Sequence, residues 1–300
     1  MKIYSAFIFL MVASITINAQ EKVDLNMMAK IREQGMVKSQ VMDIVLNLTD
    51  LNGNRLANSP GYAKAANYAK NKLTEWGVQN ATLDPWGEFG KGWELEKMYF
   101  AMTAPYYKPM MVYPKTWTRG TKGLKSAEVL LVDIKDSVSV MAYKGKLKGK
   151  IILPDMSYDY VQSFKADAQR YTDDQLAKMA EAKGVPAQQQ RQPRDTAAMR
   201  RMREQIQRGG FGAMRFLTML KTMAVEEGAV AMVSTSLKNH DGTVFAQGGG
   251  AYKGGDPENF LDMAMGVEDY NTLLRIAKSG TAVKVDTEVK TKFYADDLQG

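Results

Sequence analysis

Two places in the chain put side chains of reactive type next to each other. His240-Asp241 offers an imidazole beside a carboxylate, a pairing used to move protons or to orient a metal ligand. Asp296-Asp297 offers two carboxylates, the raw material of a metal site or of general acid–base work. Neither pair is complete. The chain of 300 residues contains one His and no Cys. A zinc centre needing two imidazoles therefore cannot be assembled, and neither a thiolate site nor a disulfide can form. Adjacent residues on a strand point to opposite faces, so Asp296 and Asp297 would not share one ion. His240 sits at the edge of a Gly-rich stretch and is retained as a candidate for the lining of a substrate cleft. No catalytic residue and no metal ligand is identified.

The glycine-rich stretches carry no phosphate chemistry. Gly209-Gly210-Phe211-Gly212 opens a helix but lacks the spacing of a dinucleotide fingerprint. Residues 248–255 contain no Gly-Lys-Ser/Thr. Both read as turn chemistry. The 21 Met read as flexible core filler.

The first 19 residues read as a secretory signal peptide. Lys2 supplies the positive start, residues 3–17 are mostly apolar, and Asn18-Ala19 ends on a small residue. The run falls short of the about 20 apolar residues of a spanning helix, and no later segment reaches that length. The expected location is the bacterial periplasm or the exterior. The formal charge is +7. Residues 191–208 hold six Arg against Asp195 and Glu204, a local net of +4. Without interleaved aromatics this stretch reads as a solvated face, so no nucleic-acid partner is expected.

The elements that must position any site are α/β in pattern. Residues 24–48 are helical in period, with Val37, Val41, Ile44, Val45 and Leu48 on one face. Ser59-Pro60 predicts a sharp helix start, and Gly77 its left-handed end, with Ala66, Ala69, Leu73 and Trp76 as the apolar stripe. Strands are expected over 78–83, 94–102, 110–113, 127–133, 149–154, 229–233 and 243–246. Helices are expected from 172 to 184, 195 to 208, 216 to 227 and 267 to 278. The stretch 165–210, with a basic part at 188–210, reads as a surface insertion. The alternation of Val283, Val285, Val289 and Phe293 with charged residues predicts a long strand of period two.

Several segments resemble one family. Leu48-Thr49-Asp50, Asn54-Arg55-Leu56, Asn58-Ser59-Pro60-Gly61-Tyr62 and Glu75-Trp76-Gly77 are similar to the N-terminal region of secreted zinc aminopeptidases and glutamate carboxypeptidase-like enzymes, the M28 peptidases. Residues 89–96, 113–123, 267–271 and 289–294 resemble a bacterial subgroup of them. The middle, from Gly145 to Ala229, resembles the protease-associated domain inserted in many such enzymes. The resemblance implies an α/β fold: an incomplete zinc-exopeptidase layer over 20–123 and 266–300, with a mixed α/β protease-associated domain inserted over 124–265. It implies a longer protein that binds two zinc ions and hydrolyses peptides with a metal-activated water. The family's ligands are two His, two Asp and a Glu, with a further Glu as base; none has a matching position here. This chain is therefore expected to bind no zinc and to be inactive alone, as the N-terminal piece of the enzyme. The strand over 283–293 is then expected to lack its sheet neighbours. Two other readings stand beside this one: a stand-alone peptide- or partner-binding module built on the protease-associated domain, and a docking protein using the basic residues 191–208.

Overall fold

The structure is a computed structural model and describes residues 23–156, 164, 170–181, 211–235 and 243–298. The chain forms two compact units, Met1–Arg55 with Lys64–Leu83, and Leu56–Ala63 with Asp84–Gly300. The signal-peptide residues 1–19 and the basic helix expected over 195–208 lie outside the described residues, as does most of the insertion expected over 165–210.

The first unit is helical. Helix α1 (Leu25–Arg32) starts at Asp24, whose Oδ1 accepts from the backbone N–H groups of Asn26 and Met27. It runs into a π-turn, Glu33–Val37, and helix α2 (Val41–Leu48) follows after a break at residues 38–40. The continuous period read from sequence is thus interrupted, because the extra residue per turn of the π segment rotates the apolar face. Helix α3 (Pro60–Glu75) begins in the second unit and ends in the first. Both of its ends follow the sequence. The Tyr62 amide donates to Ser59 Oγ at 3.2 Å. Gly77 has φ +85°, and the amides of Gly77 and Val78 close back onto Thr74 and Leu73. Its apolar stripe stays largely exposed, with Leu73 and Trp76 open to solvent and Ala65 the buried residue of the helix.

The second unit is built on one eight-stranded sheet of order β2-β1-β8-β4-β5-β6-β7-β3. Its strands are β1 (Gly92–Ala104), β2 (Lys108–Pro109), β3 (Val112–Pro114), β4 (Lys125–Val132), β5 (Ile151–Pro154), β6 (Ala231–Ser234), β7 (Asp262–Met265) and β8 (Lys284–Tyr294). Strands β4 to β7 are parallel and the other pairings antiparallel. The two edge strands are short and contain Pro109 and Pro114, which cannot donate to a further ladder. They also lie next to each other in the chain, separated by Met110 and Met111 alone. The Met110 amide donates to Phe100 O of β1, and Met111 O accepts from Gly266 N beside β7. The sheet therefore curls until its edges meet at this dipeptide.

Helix α7 (Val267–Lys278) fills the inside of the curl. Tyr270, Leu273 and Leu274 pack with Ile151, Leu153, Ala231, Val233, Met263 and Val285. Alternate residues of the same strands face outward. Ile152 and Met232 meet Leu220, Met223 and Ala224 of helix α6 (Phe211–Glu227) and Val140 of helix α4 (Ser137–Met141). This two-sided burial is why β5 and β6 read as continuous apolar runs. Helix α5 (Asp173–Glu181) opens on a reciprocal cap, Gln175 N to Thr172 Oγ1 and Thr172 N to Gln175 Oε1.

Three expectations need correction. Residues 78–83 and 243–246 form no strand; Asn80 takes a left-handed φ of 58°, which breaks an extended ladder. Strand β8 has sheet neighbours on both sides, β1 along its length and β4 over its first half. Its partner lies some 190 residues upstream, which a pattern of alternation alone does not reveal.

Candidate functional site

The segments singled out by resemblance, far apart in sequence, converge at one end of the β1–β8 ribbon. Asn58, just before α3, holds φ +58° and sends its amide to Gly90 O at 2.7 Å and to Asp297 O at 3.3 Å. Gly90 and Phe89 in turn donate to Leu298 O. Gly92 leaves no room for a side chain: a Cβ there would sit 1.8 Å from Asn58 O. Gly120 is equally constrained, its Cβ position being 2.3 Å from Val289 O. The glycines of these motifs are thus contact points where two backbones touch.

Aromatic residues lock the same loops. Trp117 takes φ +59°, an outlying conformation for a bulky side chain. It is held there from both sides: Nε1 donates to Lys91 O at 2.8 Å, and its own carbonyl accepts Asn259 Nδ2 at 2.8 Å. Its ring packs on Tyr252 and Phe89, with centroid separations of 4.7 Å for Trp117–Tyr252 and Phe89–Tyr252. Trp93 Nε1 donates to Thr118 O at 2.9 Å. Buried Lys91 sends Nζ to Asp256 O. At the end of the ribbon Tyr294 donates its hydroxyl to Glu94 Oε2 at 2.7 Å, and this bond pushes the phenol up to about 12.

The adjoining face of the sheet carries a buried carboxylate. Asp262 of β7 lies 2.8 Å from Lys115 Nζ through Oδ1 and 3.4 Å from Lys221 Nζ through Oδ2. Lys115 also reaches Ser234 Oγ at 3.1 Å, and Lys221 reaches Gly249 O at 2.8 Å. The Lys115–Ser234 contact resembles a nucleophile–base pair in outline. Lys115 Nζ is, however, already engaged by the Asp262 carboxylate, so the contact belongs to an ion pair. The group is an ion cluster that pins β3, β6, β7, α6 and the 249 loop together.

The residues proposed from sequence fare differently. His240 and Asp241 lie outside the described residues, so no geometry attaches to the cleft candidate. Asp296 and Asp297 follow the end of β8, where Asp297 O is used to accept Asn58. Among the described residues no group of three or more His, Cys, Asp and Glu side chains could hold a metal ion. Asp262, the buried carboxylate, is occupied by two ammonium groups. These residues do not fit a zinc pair, and no zinc chemistry is assigned to them. Among the described residues no helix is long and apolar enough to cross a membrane.

Sequence reasoning missed the Lys115–Asp262–Lys221 cluster. Its three members are 41 to 147 positions apart in a chain with many Lys, so spacing carries no signal. The left-handed φ of Trp117 carries no sequence signal either, although the residue lies in the stretch 113–123 that resembles the bacterial subgroup.

No protein-family profile matches the chain. No curated protein matches it either. Among solved structures, a peptidase M28 precursor from Shewanella amazonensis is similar at 18% identity and a TM-score of 0.48, covering 88% of this chain and 50% of that one. An aminopeptidase from an Aneurinibacillus species follows at 14% identity and 0.41, covering 87% and 47%. A zinc aminopeptidase from Bacillus subtilis has 12% identity and 0.41, covering 87% and 44%. The chain spans about half the length of these solved chains.

Proposed function

We propose that the chain is the N-terminal part of an exported zinc exopeptidase, with the metal ligands supplied by residues beyond this sequence. The observation that carries this reading is the convergence of the resembling segments. Residues 58, 89–93, 117–121 and 289–294 are tied by named hydrogen bonds and by glycine contacts into one end of the sheet. Segments far apart in sequence that resemble one family thus meet at one place in the fold. Strands β4 to β7, which are the parallel part of the sheet, all fall within residues 124–265, the range assigned to the inserted protease-associated domain. In this reading the role of the chain is positional: it frames and feeds a hydrolytic centre built elsewhere on the polypeptide.

The test compares the 300-residue chain with the protein encoded by the complete reading frame. The complete protein should bind two zinc ions and release N-terminal or C-terminal amino acids from peptides, with loss of activity on chelation. The shorter chain should do neither. A complete protein without zinc and without hydrolysis would sink the proposal. Mass spectrometry of the exported product should show cleavage after Ala19.

A further inference from the structure

The seam where the sheet edges meet contains an open cleft of about 460 Å3. That volume lies within the range of small-ligand sites, roughly 300–1,000 Å3. Its walls include Met98 and Phe100 of β1, Met110 and Met111 of the edge dipeptide, Tyr113 of β3, and Asp269 of α7. The carboxylate does not make it a cation site. Asp269 Oδ1 takes Lys108 Nζ at 2.7 Å, and Oδ2 accepts the Met111 amide at 2.7 Å. The cleft is therefore apolar and uncharged in effect, and thioether side chains let it adapt to differing apolar shapes.

A second observation says what kind of molecule fits. Strand β2 occupies the lane beside β1 at Ala101 and Met102 only. At Met110 the chain leaves this lane and crosses to β3. Among the described residues nothing pairs with the outer edge of β1 over 97–99. Phe100 O already accepts the Met110 amide and a bulge lies between Leu95 and Lys97, so the open lane is residues 97–99. The charges nearest it are already paired: Lys97 with Glu288 at 2.6 Å, and Glu96 with Lys290 at 2.7 Å. An extended backbone laid there gains hydrogen bonds from β1, and alternate side chains drop onto the face lined by Met98 and Phe100.

We propose that the seam cleft binds a short extended peptide segment carrying an apolar side chain, added as a strand along residues 97–99 of β1. The proposal does not rest on the peptidase reading. It is tested on the 300-residue chain with methyl-labelled Met and the capped peptide acetyl-Ala-Leu-Ala-Leu-amide as probe. The methyl signals of Met98, Met110 and Met111 should shift and saturate. Met111→Glu, at a side chain already about half exposed, should weaken binding by at least about tenfold. Methylating the peptide's backbone nitrogens should weaken it similarly, and acetyl-Ala-Asp-Ala-Asp-amide should not bind. Absence of a saturable shift overturns the proposal. So does equal binding of the N-methylated peptide, which would make the cleft an apolar hollow rather than a strand site.

Discussion

Lys115 Nζ lies 2.8 Å from Asp262 Oδ1, at a point where the Lys115 amide also donates to the Asp262 carbonyl. One residue thus grips another through both backbone and side chain, and Lys221 takes the opposite carboxylate oxygen at 3.4 Å. Removing the carboxylate leaves two ammonium groups facing each other. Asp262→Leu should cost about 2–3 kcal/mol, below the 3–5 typical of fully buried pairs because both lysines keep some contact with water. The midpoint of urea unfolding measures it. Replacing both lysines by Met together with Asp262→Leu should recover most of the loss; a triple variant as unstable as the single one would contradict the charge argument.

Gly92→Ala should be strongly destabilising, by about 2–4 kcal/mol, since a Cβ 1.8 Å from Asn58 O forces two backbones apart. Gly255→Ala is the control. Nothing lies within 4 Å of its Cβ position, and the change should fall within about 0.5 kcal/mol of the parent. Thermal melting of both variants decides the point; equal melting temperatures would refute the contact.

Alkaline stability should depend on Tyr294. Its phenol is raised from 10.0 to about 12, first by the hydrogen bond to Glu94 and then by burial. A raised acid stabilises the fold fully below its unfolded value and ceases to do so as pH climbs through the folded one. The contribution is therefore present below about pH 10 and lost between pH 10 and 12. Tyr294→Phe should remove that step from the stability profile, and ultraviolet titration of the parent should show one late tyrosinate missing from the variant.

Acid stability should depend on Glu227. Its carboxylate accepts from the amides of Gly145 at 2.7 Å and Leu147 at 2.9 Å, which hold it below its usual 4.5. A lowered acid contributes above its unfolded value and loses that contribution as pH falls through the folded one. Unfolding measured downward from pH 5 should show a shallower acid limb for Glu227→Gln than for the parent. An unchanged limb would mean that the two amides are satisfied without the charge.

What could be read from the sequence was what local chemistry dictates. Ser59-Pro60 and Gly77 bounded α3, and Tyr270, Leu273 and Leu274 marked the buried face of α7, because caps and stripes depend on near neighbours. Strand β1 shows the limit. Trp93 and Leu95 turn to one side, yet Met98, Phe100 and Met102 keep that side only because the bulge at Glu96 adds a residue and resets the alternation. The closure of the sheet was hidden for a related reason. It hangs on Met110-Met111, two residues with no turn signature, whose backbones bond to β1 and to Gly266. Of the site, the glycine-rich and Trp-containing stretches were legible as motifs, but not the contacts that make their glycines obligatory. Residue types could not say that Asp262 would be neutralised, since its partners come from other elements.

The position of β8 bears on how the fold is reached. Among the described strands it is the last in sequence, and it stands between β1 and β4 in the sheet. Lys97 and Glu288, which pair across it, are 191 residues apart. On the ribosome the earlier strands can gather, but β1 and β4 have no shared neighbour until residues 284–294 emerge. The curl then closes by insertion of a strand into a waiting gap, a route of high contact order and slow folding. Until that step the nascent sheet has two open inner edges.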